Sequence, residues 1–266
     1  MIEIKDLHVL FNPGQPTEKY ALRGVDLTIE PGQFVTVIGS NGSGKSTLLN
    51  SIVGDIKPIS GQILFNAIDV TNWSAHNRAA EIARVFQDPL AGTIADMTIE
   101  ENMSIAWGRR THGSFWRSAL SDELRKRFAD QIQHLGLGLE NRLGSLMGTL
   151  SGGQRQAASL LMAALQPSRI LLLDEHTAAL DPKTADLVMG LTDKIISEQG
   201  QTTLMVTHSM RQALKHGDRT IMLHEGKIVA DISGESRKNT SVEDLLHLFT
   251  QVKGEELDDD KLLLSS

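Results

Sequence analysis

The chain has 266 residues, of which 22% are charged and 4% aromatic, and its formal net charge is -7 at pH 7. Nucleic-acid binders usually carry a basic excess and rings that stack on bases, so this composition argues against such a partner. The absence of cysteine excludes disulfides and thiolate metal sites. The first residues lack a signal-peptide pattern, and no apolar run approaches the ~20 residues of a membrane span, so we expect any membrane role to be peripheral.

The first quarter of the chain predicts strands on both sides of a glycine-rich loop. Alternating apolar residues predict a strand over 2–11, and a second strand is predicted over 21–30. The β-branched run 33–38 predicts a buried strand, and 46–53 predicts a helix. A short strand is expected over 62–65.

The glycine-rich loop fits the pattern G-x-x-x-x-G-K-[ST], in which glycines let backbone N–H groups approach phosphate oxygens. Lys45 supplies a positive charge for the β- and γ-phosphates, and Ser46 offers a hydroxyl to Mg²⁺. Kinases, GTPases and many ATPases share this pattern, which by itself predicts only a nucleotide phosphate site. The predicted phosphate-binding residues are Gly39, Ser40, Asn41, Gly42, Ser43, Gly44, Lys45, Ser46 and Thr47.

The middle of the chain is rich in helix signals. A helix is expected over 74–82 and a strand over 83–89, which a proline interrupts. Thr98-Ile-Glu-Glu101 is a capping box that starts a helix to about residue 107, and 121–135 predicts another helix. We therefore expect a helical subdomain over about 88–150, inserted into an α/β core.

The second half alternates buried strands with helices. Ser151-Gly-Gly-Gln154 is a second capping box, and its helix is expected to reach residue 165. The remaining predicted elements are a strand over 169–174, a helix from Pro182 to residue 200 capped by Asp181, a strand over 202–207, a short helix over 209–216, a hairpin of 220–223 with 227–230, and a helix from Ser241. We expect one domain over 1–250, followed by a disordered acidic tail over 251–266.

Two motifs identify a family. The string Leu150-Ser-Gly-Gly-Gln-Arg-Gln156, followed by Ile170-Leu-Leu-Leu-Asp-Glu175, resembles the signature and acidic strand end of the ATP-binding-cassette (ABC) ATPases. The resemblance covers about residues 1–248, with the motifs in the family's order. It implies an α/β fold: a phosphate-loop ATPase core with a mixed sheet, an N-terminal antiparallel β region and an inserted helical subdomain.

The resemblance also implies a role for each motif residue. Glu175 would be the general base, His208 would contact the γ-phosphate, and Gln87 would reach both Mg²⁺ and the attacking water. The other implied roles are adenine stacking for Tyr20, Mg²⁺ binding for Asp174 with Ser46 and Gln87, contact with the partner protomer's nucleotide for Ser151, Gly152, Gly153 and Gln154, and a dimer-crossing loop for Asp181. Plainer interpretations stay open for Tyr20, as an ordinary edge-strand tyrosine, and for Asp181, as a helix cap only.

The chain departs from the family at His176, where proline usually follows the Asp-Glu pair. A proline would fix φ next to the base, whereas a histidine leaves the backbone freer and adds a titratable group. We therefore hypothesise a modest effect of His176 on turnover or on its pH dependence.

The family further implies an ATPase that uses ATP and Mg²⁺, with Glu175, His208, Gln87 and Lys45 as its catalytic residues. Its expected partners are a second ATPase subunit, most simply another copy of this chain, a membrane permease docked near Gln87 and 88–103, and a periplasmic or extracellular substrate-binding protein. The expected location is the cytoplasmic side of the membrane.

The spelling Asp-Glu-His-Thr after the buried strand resembles ATPases for small metabolites such as amino acids, and import is favoured. Export remains an alternative. So does a soluble ABC ATPase that acts on ribosomes or DNA, although such relatives usually carry two cassettes, long inserts or zinc cysteines.

Overall fold

The structure is a computed structural model that describes residues 1–108, 121–165 and 168–264. The strands are β1 (Ile2–Phe11), β2 (Lys19–Ile29), β3 (Phe34–Ile38), β4 (Ser60–Phe65), β5 (Ile68–Asp69), β6 (Ile82–Val85), β7 (Ile170–Asp174), β8 (Thr202–Val206), β9 (Arg219–His224) and β10 (Lys227–Ser233). The helices are α1 (Lys45–Val53), α2 (Ala75–Arg78), α3 (Ile99–Gly108), α4 (Asp122–Gln133), α5 (Gly152–Ala164), α6 (Pro182–Gln199), α7 (Met210–Lys215), α8 (Gly234–Asn239) and α9 (Val242–Leu264), with a 3₁₀ turn at Met147–Thr149.

An antiparallel sheet with the order β2-β1-β4-β5 forms the N-terminal region. Along β1 and β2, apolar residues alternate with polar ones, so that one face is buried and the other is exposed. This sheet is the predicted N-terminal antiparallel region, with the short strand β5 added at its edge.

The second sheet has the order β10-β9-β3-β8-β7-β6. Its strands run parallel except for β10, which pairs antiparallel with β9, so the sheet is mixed as expected. The parallel strands β3, β7 and β8 are mostly apolar and almost entirely buried, because helices cover one face of the sheet, and α1 with the antiparallel sheet covers the other. The carboxyl ends of β3 and β7 therefore share one edge, and ligands bind at this edge in sheets of this kind.

The described residues between β6 and β7 are rich in helix. Met103 of α3 and Phe128 and Ile132 of α4 are buried in the same apolar cluster as Leu171 and Leu173 of β7. The helices thus pack through α5 onto one face of the parallel sheet rather than forming a separate core. Among the described residues, no helix is both long and apolar enough to cross a membrane.

Several element bounds differ from those expected. β2 begins at Lys19, so Tyr20 lies within the strand and not between strands. The helix expected over 74–82 is only α2, because the chain then turns into β6, where the carbonyl of Glu81 accepts hydrogen bonds from two residues at the start of β7. The expected disordered tail is wrong over 251–264, where α9 continues as helix. This segment contains leucine, glutamate and lysine beside its aspartates, and those three residue types favour helix once a turn has formed.

Candidate active site

The phosphate loop depends on glycines at two close approaches. A Cβ at Gly44, where φ is +106°, would lie 2.6 Å from the carbonyl oxygen of Ala21 in β2. A Cβ at Gly39 would lie 2.1 Å from the carbonyl oxygen of Leu223 in β9. Only glycine fits at either position, and the loop therefore lies tightly between the two sheets.

An open cavity of about 550 Å³ lies over this loop. At the shared carboxyl edge of the sheet, it brings together the loop, Gln87 shortly after β6, Glu175 directly after β7 and His208 shortly after β8. The lining residues are Phe11, Lys19, Ala21, Asn41, Gly42, Gly44, Lys45, Ser46, Thr47, Gln87, Glu175 and His208. Of the expected catalytic residues, Lys45, Gln87, Glu175 and His208 all lie in this cavity.

The Lys45 side chain is buried at the start of α1, where its Nζ donates hydrogen bonds to the carbonyl oxygens of Gly39 and Ser40, both at 2.9 Å. Burial lowers the pKa of Lys45, and the nearby carboxylates of Glu175 and Asp174 oppose that shift. The ammonium is thus held at the floor of the loop, close to two acidic groups and aimed at the cavity.

Glu175 follows β7 in a backbone conformation that is rare for a residue with a side chain, with φ at +46°. Its N–H donates to the carbonyl oxygen of Val206 at 2.9 Å, which fixes the end of β7 against β8. Its carboxylate oxygen Oε1 lies 2.6 Å from Nε2 of His208. The carboxylate is nearly buried, whereas the imidazole is about half exposed. The histidine thus holds one carboxylate oxygen, and the other is left to bind within the cavity.

Asp174 ends β7 and is held by a side chain from the neighbouring strand. Nη2 of Arg84 in β6 lies 2.7 Å from Oδ2 of Asp174, and Nη1 of Arg84 donates to Oδ1 of Asn50 in α1 at 2.8 Å. Arg84 thereby fixes the carboxylate relative to the helix that follows the phosphate loop.

The oxygen donors suit Mg²⁺. Ser46 and Gln87, which line the cavity, offer a hydroxyl and an amide, and Asp174 at the end of β7 offers a carboxylate. Mg²⁺ is typically bound by one or two carboxylates together with substrate phosphates, and it keeps several waters. A site with few protein ligands beside a phosphate loop therefore fits this ion.

Tyr20, expected to stack on adenine, is not among the described residues that line the cavity. In the antiparallel pair of β1 and β2, Tyr20 lies opposite Leu10, whereas Lys19 lies opposite Phe11. Side chains alternate between the two faces of a strand, so Phe11, Lys19 and Ala21 point to the cavity and Tyr20 points away. Phe11 is not recognisable as a site residue from the sequence, because it completes the apolar alternation of β1, although its ring is partly exposed at the strand end.

The signature residues lie elsewhere on this chain. Ser151 caps α5: its Oγ accepts from the N–H of Gln154 at 3.3 Å, and Oε1 of Gln154 accepts from the N–H of Ser151 at 3.2 Å. The predicted capping box is therefore confirmed. No atom lies within 4 Å of a Cβ built at Gly152. Within the described part of the chain, none of Ser151, Gly152, Gly153, Gln154 and Asp181 lines the cavity over the phosphate loop.

Asp181 caps α6, and its Oδ1 accepts from the N–H of Thr184 at 3.2 Å. Hydrogen bonds from Thr184 lower the pKa of the Asp181 carboxyl. Its predicted role as a helix cap is therefore confirmed, and its side chain also lies next to the signature, because Gly153 packs against Thr184.

His176 is buried behind Glu175, where its Nε2 lies 3.0 Å from Oγ1 of Thr192 in α6. Burial lowers the pKa of His176 to about 4, and electrostatic interaction with nearby His216 adds to the shift. The side chain is therefore neutral near pH 7, and its effect on turnover stays a prediction.

Known proteins resemble this chain in both sequence and fold. Residues 22–178 match the family model described as ABC transporter. The chain is 46% identical to the tyrosine transport ATP-binding protein of Clostridioides difficile (strain R20291), over 94% of this chain and 98% of that protein. It is 33% identical to the phosphonates import ATP-binding protein PhnC of Alcaligenes faecalis, over 87% and 82% of the two chains.

Among solved structures, the dimeric post-hydrolysis state of the ATP-binding cassette MJ0796, bound to ADP and Pi, is 31% identical to this chain. It superposes with a TM-score of 0.75 over 88% of this chain and 98% of that chain. The sequence, the fold and the residues that line the cavity all match this family. This chain therefore belongs to the ABC transporter family as an ATP-hydrolysing subunit that uses ATP and Mg²⁺.

Proposed function

We propose that this chain powers the import of a small, amino-acid-like solute through a separate permease, as one of two ATPase subunits in a head-to-tail dimer. Residues 1–250 would act as one cassette with a helical subdomain over about 88–150. The cassette would dock on the cytoplasmic side of the membrane.

The main support for a dimer is that the cavity lacks the signature residues. The phosphate loop, Gln87, Glu175 and His208 meet at one site, while the signature at the start of α5 lies outside it. A helix N-terminus presents unpaired N–H groups to an anion, and Gly152 leaves that end free of side-chain obstruction. A second copy, turned head to tail, would supply this end to each nucleotide. The dimer of the MJ0796 cassette supports this arrangement by analogy.

The residues of the cavity suit phosphoryl transfer to water. The loop amides and Lys45 neutralise phosphate charge, and Glu175 accepts a hydrogen bond from the attacking water and orients it in line. His208 holds Glu175 on one side and reaches the γ-phosphate on the other, and Gln87 reaches the water from the end of β6. Ser46, Gln87 and Asp174 would hold Mg²⁺, which would supply further positive charge at the phosphate oxygens.

We assign adenine stacking to Phe11 instead of Tyr20. The Phe11 ring lies at the cavity rim opposite Lys19, and an exposed aromatic face at that place suits a purine. Phe11→Ala should weaken ATP binding by about 10-fold or more, since base–aromatic stacking is typically worth ~1–3 kcal/mol. Tyr20→Ala is the matched control and should bind ATP as the wild type does.

An exposed apolar patch suits the permease. Leu90 and Ile94 lie after Gln87, and Leu146 belongs to a segment that runs alongside 95–99, through its bridge with Thr98 and the hydrogen bond from the N–H of Gly148 to the carbonyl of Ala95. Exposed apolar residues grouped in this way are typical of protein interaction sites. We take Leu90, Ile94 and Leu146 as the surface that receives a cytoplasmic segment of the permease, which would link substrate movement to Gln87.

Similarity in sequence supports the choice of solute. The relative that is 46% identical is named for tyrosine transport, and the relative that is 33% identical is named for phosphonate import. An amino-acid-like solute and an inward direction are consistent with these names. A substrate-binding protein outside the membrane would complete such an importer.

A pull-down tests the transport assignment. We would tag Glu175→Gln, trap it with ATP and Mg²⁺ in its own cells, solubilise the membranes gently and identify the proteins that come along. A polytopic membrane protein supports the transporter, and uptake of labelled amino acids by cells carrying the wild type or the trapped variant then tests the solute and the direction. Recovery only with ribosomes or with DNA-processing proteins would overturn the transport assignment.

Two matched variants sharpen the same experiment. Ile94→Glu places a charge in the apolar patch and should abolish recovery of the membrane protein while ATP binding persists. Ile68→Glu changes an equally exposed isoleucine in β5 of the antiparallel sheet and should leave recovery intact. Equal recovery with both variants would contradict the docking surface.

A further inference from the structure

Lys19 is a positively charged residue that lines the cavity and lies outside the phosphate loop, the signature and the Asp-Glu strand end. It is the first residue of β2, lies opposite Phe11 in the pairing with β1, and lines the cavity. Its Nζ lies 3.6 Å from the position of a Cβ built at Gly42, so the ammonium is suspended above the middle of the phosphate loop.

The charge of Lys19 has no acidic partner among the described residues. The adjacent carboxylate of Glu18 accepts a hydrogen bond from the N–H of Gly14 at 2.6 Å and stays with the preceding turn. Lys45, by contrast, donates to two carbonyl oxygens from below the loop. The ammonium of Lys19 adds to the positive potential of the glycine N–H groups below it, and the space between Lys19 and the loop therefore suits an anion.

We propose that Lys19 is a second polyphosphate-binding residue, which contacts the nucleotide from the antiparallel-sheet side while Lys45 contacts it from within the loop. The inference rests on the proposed nucleotide site over the phosphate loop. The N–H groups of such a loop cradle the α- and β-phosphates, so we expect Lys19, above Gly42, to favour nucleoside di- and triphosphates over monophosphates.

The position of Lys19 also predicts which step it affects. The buried Lys45 interacts electrostatically with Glu175 and Asp174, whereas Lys19 is exposed. It therefore stabilises bound nucleotide before and after hydrolysis alike. We expect the variant to lower the affinity for ATP and the affinity for ADP to a similar extent.

The test compares nucleotide affinities of the full chain by fluorescence titration with ATP, ADP and AMP. Lys19→Met should weaken ATP and ADP binding about fivefold, the effect of one charge at ~4 Å in water, and should leave AMP binding unchanged. Lys19→Arg should restore both affinities, and the effect of Lys19→Met should shrink at high salt. Lys57→Met, which removes one exposed lysine after α1, is the matched control and should bind as the wild type does.

The outcomes separate this inference from the proposed function. Wild-type affinity for ATP in Lys19→Met, alongside loss of binding in Lys45→Ala, would overturn the role of Lys19 and keep the nucleotide site. Equal weakening of ATP, ADP and AMP would also overturn it, because that pattern indicates loss of packing on Phe11. A wild-type chain that binds no ATP would overturn both.

Discussion

Gly153 lies directly against Thr184: a Cβ at Gly153 would come 2.1 Å from Cγ2 of Thr184 at the start of α6. The second glycine of the signature is therefore fixed by packing within the chain. Gly153→Ala should lower the free energy of unfolding by about 1–3 kcal/mol, since a methyl group in a filled space forces its neighbours to move. Urea denaturation measures the loss, and Gly153→Ala combined with Thr184→Ala should recover most of it.

The adjacent Gly152 behaves differently, because nothing within the described chain limits a Cβ there. Gly152→Ala should unfold at the same urea concentration as the wild type or slightly above it, since alanine is the better helix former. It should nevertheless reduce ATP-driven dimerisation and ATPase activity by about 10-fold or more, because the added methyl obstructs the helix end that receives the partner's nucleotide. Light scattering with ATP measures the dimer. A loss of stability without a loss of dimer would refute the partner-facing role.

Glu175→Gln removes the charge of the proposed base and keeps its size. Turnover should fall by about 100-fold or more, which is the usual contribution of a general base, while ATP binding persists. The trapped ATP should then hold two chains together. Phosphate release measures the rate, and size-exclusion chromatography with ATP measures the dimer. Turnover at the wild-type rate would remove Glu175 from its role.

The sequence predicted the motif residues of the site better than it predicted the other residues that line the cavity. The phosphate loop, Glu175 and His208 could be found because each has a fixed spelling or follows a buried strand. Phe11 and Lys19 could not be found in this way, because they reach the cavity through the register of two antiparallel strands. That register is set by the packing of the whole sheet and not by any local pattern.

The core of the fold was predictable for a similar reason. Apolar alternation and buried runs located most strands, and the capping boxes at Thr98 and Ser151 located two helices. The short elements β5 and α8 left no periodic pattern to detect, since β5 has only two residues and α8 buries none of its side chains.

Arg78 illustrates a contact that no local pattern predicts. Its side chain is buried in a helix of four residues, and its guanidinium donates to the carbonyl oxygens of Ser51, Ile52, Val70 and Thr71 at 2.6–3.0 Å. It therefore ties the last turn of α1 to the chain that leaves the antiparallel sheet.

Arg78→Met should lower the free energy of unfolding by about 3 kcal/mol or more, because it leaves several buried carbonyl groups without donors. Urea denaturation gives the value. Arg23→Met, at an exposed position of β2, is the control and should cost less than about 0.5 kcal/mol. Similar losses in the two variants would show that the buried hydrogen bonds of Arg78 contribute little.

His176 should make the nucleotide-free protein sensitive to acid. Its pKa in the folded chain is about 4, whereas the usual pKa of a histidine is 6.5. As the pH falls below 6.5, the unfolded chain takes up a proton that the folded chain refuses until the pH nears 4. Stability is therefore lost between these two values, by up to about 3 kcal/mol from this group, and no further below them. His176→Asn keeps a polar side chain that cannot titrate, so its free energy of unfolding should fall less over the same interval. Urea denaturation at several pH values between 7 and 4.5 measures the difference, and parallel curves for the two proteins would mean that His176 is protonated while folded.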